Sequence, residues 1–229
     1  GQRPTGNKDP FGIRRAALGV LRICIECGLD LDLPGLIASA VAGQPLATDD
    51  SLAADIWEFL LERLRGYYLE GGGSLVASHD AFAAVLARRP PSLVDFHERL
   101  AAVLEFQRLE AAAALAAANK RIANILRQAD GGGAGKVDDT LLQADAEQAL
   151  HERVDALAGE VTPLVAERRY REALEKLAGL RDVVDRFFDE VLVMDPDPAV
   201  RANRLALLAR MRALFADIAD VSRLGAPAG

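Results

Sequence analysis

The sequence predicts an all-α protein built as a multi-helix bundle. Hydrophobic residues make up 51% of its 229 residues, and they come largely from Ala and Leu, which favour helices. Aromatic residues reach only 5%. No segment shows the alternation of apolar and polar residues that is typical of a half-buried strand.

Capping residues and glycine or proline stops divide the first half of the chain into helices. The first helix is capped at Asp9, has Pro10 at its first position and runs toward Gly28. Its expected core stripe consists of Ile13, Ala17, Val20 and Cys24. Further helices are expected after Pro34, over residues 51–70 behind the cap Thr48-Asp49-Asp50, and over residues 79–89 and 93–109 behind Ser78 and Ser92.

Four more helices are expected in the second half. They cover residues 110–128, which Gly131-Gly132-Gly133 terminates, then 141–164, shortened by Pro163, then 170–194 and 198–224. In the third of these, the core stripe is Leu177, Val184, Phe188 and Val191. Phe187 lies at the edge of that stripe and can reach solvent.

Cations are concentrated in the stretch NKRIANILRQ, although the formal net charge of the chain is -7. At 100° per residue, one helix face carries Lys120, Arg121, Asn124, Arg127 and Gln128, and the other carries Ile122, Ile125, Leu126 and Ala129. The charged groups can bind phosphates, and the Asn124 amide can both donate to and accept from a base edge. From this helix alone, a solvated charged face is the simpler interpretation.

The last helix shows a second cationic pattern. Its core stripe is Leu207, Met211, Leu214, Ile218 and Val221. Arg201, Arg212 and Arg223 follow one another at eleven-residue intervals along one flank, whereas Asp217 and Asp220 lie on the other. Placed beside Lys120, Arg121 and Arg127, this arginine row would form a groove for a phosphate backbone.

Motifs for catalysis are incomplete. Gly131 to Lys136 resembles a phosphate loop, but Asp130 and Val137 occupy positions that need Gly and Ser or Thr, so a flexible linker is expected. Cys24 and Cys27 have no matching zinc ligands, and a packed Cys24 thiol is favoured over a redox pair. Trp57, Tyr67 and Tyr68 could stack on bases, but core packing is the better interpretation for them. We therefore predict no catalytic, cofactor or metal site.

The ends of the chain and its apolar runs bear on location. No run of about 20 apolar residues could span a membrane, and the N-terminus lacks the apolar core of a signal peptide. We expect a soluble, cytoplasmic protein. Because the sequence has no initiator Met, we also expect a segment of a longer chain.

Long strings resemble a known family. ALAAANKRIANILRQA is similar to the opening helix of the DALR-type anticodon-binding domain, and VDRFFDEVLVM with RANRLALLARMRALFADIADVSRL to its closing helices. Together with NKDPFGIRRAALGVLRI, these strings resemble the C-terminal part of the bacterial glycyl-tRNA synthetase β subunit family. The resemblance covers essentially the whole chain. It departs from the family after NIL, where Asp130 and a glycine run replace a more basic segment.

This resemblance implies both an organisation and a function. Residues 1–92 would be a helical body adjoining an upstream HD-like domain, and residues 93–229 the DALR-type domain. The intact enzyme would join glycine to its tRNA with ATP, as a heterotetramer of two α and two β subunits in which the α subunit forms the adenylate. The expected tRNA-binding residues are Lys120, Arg121, Asn124, Arg127, Arg201, Arg204 and Arg212. The alternatives are a non-catalytic helical module that binds a protein partner, and a segment that is itself an enzyme; the missing motifs speak against the second.

Overall fold

A computed structural model describes residues 9, 11–45, 49–129 and 135–225, and these residues form ten α-helices and no strand. The all-α prediction is confirmed. The helices are α1 (Ile13–Glu26), α2 (Leu33–Ala42), α3 (Leu52–Leu69), α4 (His79–Leu86), α5 (Leu93–Phe106), α6 (Ala112–Gln128), α7 (Asp145–Ala166), α8 (Tyr170–Ala178), α9 (Arg181–Glu190) and α10 (Pro198–Ala216). Single 3-10 turns lie at Asp139–Leu141 and Val221–Arg223. None of the described helices is both long and apolar enough to cross a lipid bilayer.

Side-chain caps begin several helices where the sequence predicts them. The Ser78 hydroxyl accepts a hydrogen bond from the Ala81 amide at 3.2 Å, and the Ser92 hydroxyl accepts one from the Asp95 amide at 3.3 Å. The Asp9 carboxylate accepts from two amides at the start of α1, but the helix itself begins at Ile13. The predicted roles of Pro10 and Thr48, and the glycine linker over 131–134, lie outside the described residues.

Two predicted helices are shorter than expected. The helix predicted over 170–194 is interrupted at Gly179 and Leu180, so α8 and α9 are separate. Leu180 is fully buried, and the break places its side chain in the core. The helix predicted over 198–224 ends at Ala216, because the chain then turns to lay Ile218 and Val221 into the same core. In contrast, Pro163 lies inside α7 and does not end it.

One continuous hydrophobic core extends from Ala17 in α1 to Leu224 near the C-terminus. Trp57, Tyr67 and Tyr68 are buried in it, as predicted. Cys24 is also buried there, whereas Cys27 is exposed, and neither cysteine forms a disulfide.

Some predicted core residues are placed differently. In α1 the buried stripe is Ala17, Leu21 and Cys24, while Ile13 and Val20 are exposed. In α9 the two phenylalanines exchange roles: Phe187 is fully buried and Phe188 is only partly buried. Both errors have one cause, since the direction of the core relative to a helix depends on the neighbouring helices.

Candidate nucleic-acid interface

Helix α6 presents the cationic face that the sequence predicts. Lys120, Arg121, Asn124, Arg127 and Gln128 are all exposed, whereas Ile122 is fully buried. Ile125, Leu126 and Ala129 pack partly against the core. Lys120, Arg121 and Arg127 form no ion pair with any residue that the structure describes. Their charges are therefore not neutralised within the described part of the molecule.

Two contacts order this face. The Arg121 guanidinium lies over the Phe188 ring of α9, 4.1 Å from its centroid, in cation–π geometry. One turn along α6, Arg127 Nη2 donates to Asn124 Oδ1 at 2.7 Å. The remaining N–H groups of Arg127 and the amide N–H groups of Asn124 stay available to a ligand.

Arg204 does not lie on the surface, where the predicted contact with RNA would place it. Its side chain is 7% exposed and forms ion pairs with Glu147, which is fully buried, and with Asp195 at 2.6 Å. Its Nη1 also donates to the Leu192 carbonyl at 2.8 Å. Burial alone would lower the pKa of Arg204, but hydrogen bonding to the two carboxylates raises it. The residue is a buried cation that holds three segments together.

The predicted arginine row on the last helix is wrong. Arg223 lies beyond the end of α10, in the 3-10 turn. Arg212 and Arg223 both point to Asp220, at 3.4 and 3.1 Å, so an acid separates them. Arg201 Nη1 donates to the Asp195 carbonyl at 2.8 Å. Some N–H groups of Arg201 and Arg212 are thus already bonded within the protein, and no continuous cationic row runs along α10.

A second polar groove was missed by the sequence reasoning. It has a volume of about 690 Å³, and its lining includes Lys136 from the segment before the first 3-10 turn, His151 from α7 and Arg210 from α10. His151 Nε2 lies 2.9 Å from Asp139, and Arg210 lies 2.5 Å from Asp155. These carboxylates neutralise much of its charge. In the sequence, the only signal was Lys136 at the end of the incomplete phosphate loop, and that segment was assigned to a flexible linker.

Comparison with known proteins shows which families the chain resembles. Residues 115–227 match the family model described as DALR anticodon binding domain, and residues 1–87 match that described as Glycyl-tRNA synthetase beta subunit. Similar curated proteins are the glycine–tRNA ligase beta subunits of Pseudoalteromonas translucida, at 49% identity, and of Vibrio atlanticus and Ectopseudomonas mendocina, each at 50%. Each of these alignments covers 98% of this chain and 32% of the relative, so the chain spans about a third of the length of these relatives.

The all-α fold and the match over 115–227 define a helical anticodon-binding domain of the DALR type. Joined to it is a helical segment that matches an aminoacyl-tRNA synthetase subunit. The chain belongs to the glycyl-tRNA synthetase beta subunit family. The two matches leave residues 88–114 between them, and the domain boundary predicted at residue 92 falls in that interval, where it stays a prediction.

Proposed function

We propose that this chain is the tRNA-binding, anticodon-recognising portion of the β subunit of glycine–tRNA ligase. One observation carries the proposal: the cationic part of α6 lies inside the DALR match, and Lys120, Arg121 and Arg127, which form no ion pair with any described residue, share one exposed face. The rest of the chain is acidic, and an acidic chain lacks the broad positive field that indiscriminate nucleic-acid binding needs. A local cationic patch therefore favours binding of one RNA of a particular shape over binding of many different nucleic acids.

In this proposal the chain supports ATP-dependent glycylation of tRNA without performing it. A separate α subunit carries the chemistry and uses the ATP, within a cytoplasmic heterotetramer of two α and two β subunits. The names of the similar proteins support the assignment to this enzyme. The sequence supports the division of labour, since it offers no complete motif for catalysis or for phosphate binding.

The chemistry of recognition follows from the anticodon. Glycine codons all begin with GG, so the two anticodon bases that read them are cytosines. An unstacked cytosine exposes an amino donor and two acceptors. In our proposal Lys120, Arg121 and Arg127 bind phosphates or cytosine acceptors, and Asn124 reads a base edge. Arg201 and Arg212 can add only the N–H groups that their internal contacts leave free, and Arg204 takes no direct part.

The proposal is tested by titrating the chain with glycine tRNA and with a variant whose anticodon cytosines are replaced. We expect the wild type to prefer glycine tRNA. Substitution R127A should weaken binding of both RNAs and reduce the slope of log affinity against log salt by about one ion, as expected for one lost phosphate contact. If R121A removes a base contact, it should cost about 1–3 kcal/mol and relax the discrimination.

Arg22 supplies a matched control, because it is an exposed helix arginine outside the DALR match. R22A should leave both affinities and the salt slope unchanged. Equal affinity of the wild type for the two RNAs would contradict anticodon recognition. It would instead favour a helical module whose cationic face binds an acidic protein.

A further inference from the structure

The segment between α9 and α10 exposes two large hydrophobic side chains. Burial alternates along it: Val191 and Val193 are buried, while Leu192 is 67% exposed and Met194 is 52% exposed. Among the described residues of the DALR match, these two are the only large hydrophobic side chains with such exposure. This alternation places Leu192 and Met194 on the solvent side of the segment and Val191 and Val193 against the core.

Hydrogen bonds to the backbone around Leu192 and Met194 fix the position of this exposed pair. Arg204 Nη1 donates to the Leu192 carbonyl at 2.8 Å and to Asp195 Oδ2 at 2.6 Å. Arg201 Nη1 donates to the Asp195 carbonyl at 2.8 Å. Glu147, which anchors Arg204, is itself fixed by the amides of residues 143 and 144. A surface that is already ordered loses little conformational entropy when a ligand binds to it.

The surroundings indicate the chemistry of the ligand. Phe188, which carries the Arg121 guanidinium, precedes Leu192 by only four residues, so the chain keeps the two within about 14 Å of each other. An arginine plane and an apolar surface within this limit can contact bases of one unstacked loop. Exposed Asp189 lies in the same stretch, and its carboxylate would repel a phosphate but can accept from a base amino group.

We propose that Leu192 and Met194, with the Arg121–Phe188 stack beside them, form a platform for unstacked bases of a bound RNA loop. The cations of α6, which form no ion pair within the described part of the chain, match the phosphates of the same strand, and this favours RNA over an apolar protein segment as the occupant. Arg204 is a positioning residue that acts through the backbone of the platform. This inference rests on the proposed function and names the base-contacting part of its site.

The test compares the double variant L192S/M194S with the control L36S/V76S in the full chain. Leu36 and Val76 are 50% and 63% exposed and lie outside the DALR match, so the two variants remove similar amounts of exposed apolar surface. We expect L192S/M194S to bind glycine tRNA about tenfold more weakly, in the range of one lost base contact. Its salt slope should equal that of the wild type, because no phosphate contact is lost. The control should bind like the wild type.

Abasic glycine tRNAs locate the contact. Each anticodon-loop base is removed in turn, and we expect one abasic RNA to bind the wild type and L192S/M194S equally, because the partner of the platform is then missing from both. The proposal is overturned if the variant binds intact tRNA as the wild type does, or if it loses the same factor with every abasic RNA. If the wild type itself ignores the anticodon, the proposed function fails instead.

Discussion

Arg121 and Arg204 show how one residue type takes two roles. Both are helix arginines in an acidic chain, yet Arg121 is exposed on Phe188 and Arg204 is buried between Glu147 and Asp195. Glu147 lies 57 residues away in sequence, so no local pattern could assign the pair. A buried ion pair needs close geometry and further hydrogen bonds to offset its desolvation. Arg204 meets that condition through the Leu192 carbonyl, which is why it belongs to the interior.

His97 gives a prediction at the scale of the single residue. Burial lowers its pKa, and its Nδ1 lies 2.9 Å from the Tyr68 hydroxyl. As pH falls below the unfolded pKa of about 6.5, the unfolded chain takes up a proton that folded His97 resists, so stability falls. The loss stops once the pH is below the lowered pKa of the folded state. We expect H97Q to lack this part of the pH dependence.

Urea unfolding of the wild type and H97Q from pH 8 to pH 5 measures this effect. The difference between the two free energies isolates His97, because other groups such as Glu98 titrate in both proteins. The wild type should lose stability relative to H97Q on acidification. A difference that stays constant with pH, or one that moves the other way, would show that His97 is not held neutral.

Helix starts give a prediction at the scale of the element. Ser78 caps α4 with one hydrogen bond, whereas Ser92 both caps α5 and donates to Asp30 at 2.5 Å. Losing a cap costs about 1 kcal/mol. S78A should therefore destabilise by about 1 kcal/mol, and S92A by about 2 kcal/mol, since it also loses a hydrogen bond to a carboxylate. Thermal unfolding of the two variants checks the order, and an S92A protein as stable as S78A would contradict the added role of Asp30.

The difference between local capping and long-range packing explains which features the sequence could predict. Caps such as Ser78 and Ser92 act over three residues, so helix starts were predictable, and so was the exposed face of α6. The break at Gly179 and Leu180 and the end of α10 depend on core packing between distant segments, and a helix wheel does not contain that information. The Leu192–Met194 surface was missed for this reason, because it was assigned to the last turn of one helix over residues 170–194.

At the scale of the whole molecule, Arg99 joins distant parts of the chain. Its Nε pairs with Asp95 at 2.9 Å within α5, and its Nη1 donates to the carbonyls of Asp217 and Ile218 beyond α10, at 2.7 and 2.8 Å. Its guanidinium also lies over the Tyr170 ring of α8, 4.3 Å from the centroid. Since α5 also packs on α1 and α4, the network links the N-terminal helices to the DALR-matched part.

This linkage predicts one cooperative unfolding transition. Trp57 is the single tryptophan and lies in α3, so its fluorescence reports the N-terminal helices, while far-UV circular dichroism reports all helices. Because the core is continuous, both signals should show the same midpoint in the wild type.

R99M removes the guanidinium that joins the two parts and leaves the buried Asp95 carboxylate without it. The variant should lose about 3–5 kcal/mol of unfolding free energy and lower both midpoints together. R65M is the matched control: Arg65 is exposed and, among the described residues, contacts just the Phe82 ring, so the change should stay within about 0.5 kcal/mol. If R99M lowers the circular dichroism midpoint and leaves the Trp57 midpoint in place, the N-terminal helices unfold as an independent unit and Arg99 does not couple the two parts.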